Sequence, residues 1–122
     1  MARFEIEVNG TKYTGETASA QDQYQALHIA ANSRLLVGMQ ESVTDQALVL
    51  TLMTLGWAEL KKLESLLVDG LVTREDKVPV GDNLFRDDPA SYALLVGKVA
   101  RENLAGFFKL RGQGEDGSAA KH

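Results

Sequence analysis

Few residues in this 122-residue chain have the types that carry chemistry, and their spacing limits what that chemistry can be. Cysteine is absent, which excludes disulfides, thiolate metal sites and nucleophilic thiols. Of the two histidines, His122 is the last residue, and His28 lies beside the apolar stripe of a helix with no Cys, Asp or Glu at ligand spacing on that helix. A metal or general-base role requires such neighbours; a histidine at the margin of a core does not. Asp87 and Asp88 adjoin a helix start, where the positive end of the macrodipole favours carboxylates, so capping accounts for them without acid/base work. Lys98, Arg101 and Lys109 form a basic stripe that could track a phosphate backbone. Glu102 interrupts it four residues from Lys98, the pattern of a solvated helix face. Gly112-Gln113-Gly114 neither follows a strand nor opens a helix, unlike a phosphate-cradling loop. No nucleophile has an oriented base. The expectation is a non-enzymatic protein with no metal and no cofactor.

The elements that position these residues must fit into one domain, since 122 residues support a single modest core. Hydrophobic residues at 44% and charged residues at 25% match an ordinary globular chain and argue against disorder. The longest charge-free apolar stretch, Gln46 to Ala58, is well short of the roughly 20 residues of a bilayer span. No membrane association is expected. The start, Met1-Ala2-Arg3-Phe4-Glu5, has no apolar leader, so the protein is expected to stay where it is made. The net charge of −4 argues against a dedicated nucleic-acid binder, because neutralisation of phosphates by Lys and Arg supplies most of such affinity. All of that charge falls in residues 1–60, with three basic and seven acidic side chains; the second half is neutral.

Phe4, Ile6 and Val8 alternate with Glu5 and Glu7 ahead of Asn9-Gly10, a dipeptide suited to the two positive φ angles of a type I′ turn. A two-residue turn pairs Val8 with Thr11, Glu7 with Lys12 and Ile6 with Tyr13, placing Tyr13 on the apolar face and Lys12 opposite Glu7. Ser19 and Asp22 resemble a capping box before a first helix carrying Ala20, Tyr24, Leu27, Ala31 and Leu35, with a break or kink at Asn32-Ser33. Thr44 or Ser42 caps a second helix from about Asp45, apolar nearly all round through Ala47, Leu48, Val49, Leu50, Leu52, Met53 and Leu55. Gly56 interrupts it, and a third helix sets Trp57, Leu60, Leu63 and Leu67 on one face before Asp69-Gly70. Residues 69–88 read as a long connection, anchored by Val78, Val80, Leu84 and Phe85, that either holds a short extended segment or orders on binding. Asp88-Pro89 opens a final helix that runs to about Leu110. The sequence thus predicts a mainly α (α+β) fold, an N-terminal β-hairpin packed on a bundle of about four helices in residues 1–111, with a flexible tail at 112–122.

The final helix divides into sectors. Tyr92, Leu95, Val96, Val99, Phe107 and Leu110 form one apolar sector that includes Asn103. Ala93, Gly97, Ala100, Leu104 and Phe108 form a second, whose small residues permit close approach of another helix. Together they span about twice the arc of one core face. Either both sectors are internal, covered by the first two helices, or Leu104 and Phe108 contribute to a binding surface. The surplus arc on this helix and on the second points to client contacts at Leu104, Phe108, Leu48, Leu52 and Leu55.

The Phe4–Gly10 hairpin segment, the Gln25-Ala26-Leu27-His28-Ile29-Ala30 helix, the Leu-rich 48–67 segment and the closing Arg101-Glu102-Asn103-Leu104-Ala105-Gly106-Phe107-Phe108 together resemble a small tail assembly chaperone of long-tailed bacteriophages. The resemblance covers roughly residues 4–111 and rests on packing patterns. It implies a protein of the host cytoplasm, not expected in the mature virion, that binds the tape measure protein and keeps it soluble before the tail tube polymerises. Many members are also made in a longer, frameshifted form thought to recruit tube subunits, which makes the tail tube protein a second expected partner; a homo-oligomer also stays open. The alternative is a small phage or bacterial regulatory module using its last helix on nucleic acid or on another protein.

Overall fold

The computed structural model describes residues 2–39 and 43–121, with side chains at all of these except positions 38, 82, 83 and 106 onward. The fold is α+β and mainly helical, built around a hairpin and one long helix. Strands β1 (Arg3–Val8) and β2 (Thr11–Glu16) are antiparallel, with Val8 opposite Thr11, Glu7 opposite Lys12 and Ile6 opposite Tyr13. Asn9 at φ 52° and Gly10 at φ 81° make the turn as its sequence requires. Ile6, Val8 and Tyr13 are buried on the inner face. On the outer face Lys12 forms its ion pair with Glu5, at 3.6 Å.

Helix α1 (Ala20–Ala31) begins at Ser19, whose hydroxyl accepts from the Asp22 amide, and ends at Asn32, where the chain turns into the single-turn helix α2 (Leu35–Gly38). Leu35 and Met39 there are fully buried. Thr44 caps α3 (Asp45–Leu52) by accepting from the Ala47 amide. Gly56 precedes α4 (Trp57–Leu67), whose core contacts come from its later turns through Leu63, Leu66 and Leu67.

The 69–88 connection is ordered in itself. Gly70 at φ 77° leads into β3 (Val72–Arg74), which pairs antiparallel with β2 and extends the sheet to three strands in the order β1-β2-β3. The chain then doubles back: the Arg74 amide donates to the Val78 carbonyl and the Val80 amide to the Val72 carbonyl. An Arg74–Asp76 ion pair at 2.7 Å closes this small turn. Gly15 lies where β2 meets β3; a Cβ there would stand 2.7 Å from the Phe4 ring and 3.0 Å from the Leu71 carbonyl oxygen. A 3-10 turn, Asp82–Phe85, follows.

Helix α5 (Pro89–Lys121) is the axis of the molecule, packing against β1, α1, α3 and α4. The Asp88 carboxylate accepts from the Ser91 amide at its start. Leu95, Val96, Val99, Ala100 and Leu104 are all buried, so both apolar sectors are internal between residues 92 and 104. Helix α3 covers the small-residue sector: a Cβ on Gly97 would lie 2.9 Å from Leu48 Cγ, so the glycine permits this approach. Within the other sector, Asn103 Oδ1 accepts from the Ala18 amide at 2.8 Å and from Gln23 Nε2, while its Nδ2 donates to the Val99 carbonyl. Lys98 does not pair with Glu102. Its Nζ donates to the Glu7 carbonyl at 2.8 Å and stands 3.6 Å from Asp45, tying α5 to β1 and α3. The helix is assigned to Lys121, beyond the end expected near Leu110. The expectations placed on Phe108 and on a flexible 112–122 tail fall beyond the described side chains.

Candidate functional site

Three of the residues expected to contact a client are in the core. Leu48 and Leu52 are fully buried between α3 and its neighbours, and Leu104 is 3% exposed. The small α5 residues that suggested a free surface instead admit α3, which covers its own Leu48 in doing so. The surplus apolar surface lies one turn away, at the junction of α3 and α4. Leu50, Met53 and Trp57 are exposed, Trp57 to 74%. Trp57 therefore departs from the buried face expected for it with Leu60, Leu63 and Leu67: residues 57–59 are all exposed, and the helix is covered only further along.

Beside these side chains runs an apolar groove of about 680 Å³. Val49, Leu52, Met53 and Leu55 form one wall, Trp57 and Leu60 the second, and Pro89, Ala90, Ala93 and Val96 the third. Among the described residues of the expected contact set, Leu55 lines the groove half-buried and Leu52 lines it fully buried. The three walls follow from local signals. Gly56 breaks the α3–α4 run and turns α4 away from α3, and Asp88-Pro89 starts α5 opposite the break. A short α3 and a long α5 cannot both close over the first turn of α4.

A polar chain lines one side. Lys61 Nζ stands 3.1 Å from Glu64 Oε1 and 5.6 Å from the centre of the Trp57 ring. The same Glu64 oxygen accepts from the Tyr92 hydroxyl at 2.9 Å. The Glu64 side chain is 9% exposed and the Lys61 side chain 50%. Tyr92 continues into an aromatic series, its ring centre 5.4 Å from that of Phe85, which in turn is 6.0 Å from Tyr13 in the sheet. This buried carboxylate–hydroxyl contact joins residues 28 apart in sequence, so helical periodicity carried no sign of it.

The groove offers apolar burial and fixed hydrogen bonding, and its charged lining residues among those described, Lys61 and Glu64, already face each other. Elsewhere, His28 borders a second pocket of mixed lining with Ile29, Asn32, Ser33, Thr54, Leu55 and Glu59. Among the described residues there is no group of three or more His, Cys, Asp or Glu side chains that could hold a metal ion. No helix among them is long and apolar enough to cross a membrane. No protein-family profile, no curated protein and no solved structure matches this chain.

Proposed function

We propose that the chain is a tail assembly chaperone of a long-tailed bacteriophage, a non-enzymatic protein of the host cytoplasm that holds an apolar helical stretch of the tape measure protein and keeps it soluble until the tail tube polymerises. The observation that carries this reading is the exposure of Met53 and Trp57 on the rim of the α3/α4/α5 groove. Large apolar side chains held on rigid helices beside a concave apolar surface are where binding energy concentrates. Methionine adapts to irregular partners, which suits a client that offers many similar apolar helical stretches. The acidic body supplies the net charge of −4 that counters precipitation of such a complex. The tail tube protein is the second partner in this proposal.

Coexpression with the candidate tape measure protein tests the reading. Trp57→Ser and Met53→Ser should both give folded protein by circular dichroism, because neither side chain is buried, and the client should move from the soluble to the insoluble fraction. Retention of the client by both folded variants would place the contact elsewhere and overturn the groove as its site.

A further inference from the structure

We infer that the groove selects an apolar helix flanked by a carboxylate, with Lys61 as the residue that reads the charge. This inference rests on the groove being the client site. Lys61 and Glu64 are the charged residues of its lining, and they are unequally placed. The Glu64 carboxylate is sunk and shared between the Lys61 ammonium and the Tyr92 hydroxyl, whereas half of the Lys61 side chain is open to solvent. The charge that an arriving helix meets is therefore positive. The Trp57 ring also lies under the ammonium, 5.6 Å from ring centre to Nζ, so the cation is positioned before the client arrives. An acidic side chain one turn from the apolar anchor of a bound helix reaches this ammonium at the groove margin, where the apolar walls weaken solvent screening.

A second copy of the chain is the wrong occupant. Its Phe107-Phe108-Lys109-Leu110-Arg111 stretch carries two cations and no carboxylate. The occupant is a partner helix with leucine-like anchors and a flanking Asp or Glu.

The chain's single tryptophan is Trp57, so its emission reports on this groove alone. The probes are two synthetic amphipathic peptides with the same leucine face, one with Glu and one with Lys at the flanking positions, titrated into the full chain at about 0.15 M salt, where charges more than about 8 Å away are largely screened. The net charge of −4 favours the Lys peptide, so a preference for Glu has to arise locally. The expected result is a blue shift of Trp57 emission with both peptides and about three- to fivefold tighter binding of the Glu peptide, the scale of one partly exposed ion pair. Lys61→Arg should keep the preference and Lys61→Gln should abolish it. Equal binding, or tighter binding of the Lys peptide, would overturn the charge selection while leaving the groove as the client site. Failure of both peptides to shift Trp57 would overturn the charge selection and the groove as the client site together. Trp57 emission that depends on protein concentration without peptide would identify a second copy as the occupant, against the inference.

Discussion

Leu104 and Met53 look alike in composition and differ in what surrounds them. Leu104 is 3% exposed beside Ala100 and Val99, whereas Met53 is 51% exposed on the groove rim. Leu104→Ala should therefore cost about 2–5 kcal/mol, the loss of a buried leucine plus the cavity it leaves, and Met53→Ala should stay within about 0.5 kcal/mol. Urea unfolding of the two variants measures both; equal losses would mean that α5 and the groove rim are covered alike. Apolar periodicity said which residues share a helix face and stayed silent on what covers that face. Hence Leu48, Leu52 and Leu104 were expected at a surface and Trp57 in the core, whereas the three leucines are buried and Trp57 is exposed. Leu55, at the end of the same apolar run, stays half-buried and lines the groove.

The elements whose signals are local were the legible ones. The β1–β2 register follows from one dipeptide and one alternation, and the starts of α1, α3 and α5 follow from Ser19, Thr44 and Asp88. Strand β3 is only three residues long, and it is defined by pairing with β2 some 60 positions away, a non-local contact that its own side chains do not announce. The three-stranded sheet carries a pH signature at both ends. Burial raises the Tyr13 phenol above its ordinary 10.0, partly opposed by the Arg74 charge, and the Arg74 hydrogen bond lowers the Asp76 carboxyl below its ordinary 3.8. A phenol with a raised folded pKa contributes stability that is present below 10.0 and lost as pH rises through the folded value. A carboxyl with a lowered one contributes stability that is present above 3.8 and lost as pH falls through the folded value. Thermal unfolding across pH should therefore fall away on both limbs. Tyr13→Phe should flatten the alkaline limb only and Asp76→Asn the acid limb only; a variant that changes the other limb would break the assignment.

At the scale of the whole molecule, the hairpin, α3 and α5, which already pack together, also meet at one ammonium, that of Lys98. The sequence placed Lys98 on a solvated face next to Glu102; its side chain is instead only 17% exposed. The contact has a consequence beyond holding those parts together. Strand β1 is the outer strand of the sheet, and an outer strand with unpaired backbone groups is a template on which other chains can add as further strands. By occupying the Glu7 carbonyl, and with Arg3, Glu5 and Glu7 as neighbours, Lys98 blocks strand addition at this border. Lys98→Ala should leave the helices largely intact by circular dichroism and raise the rate at which concentrated protein forms thioflavin-T-positive assemblies. An unchanged rate would mean that the charges of Arg3, Glu5 and Glu7 guard the sheet by themselves.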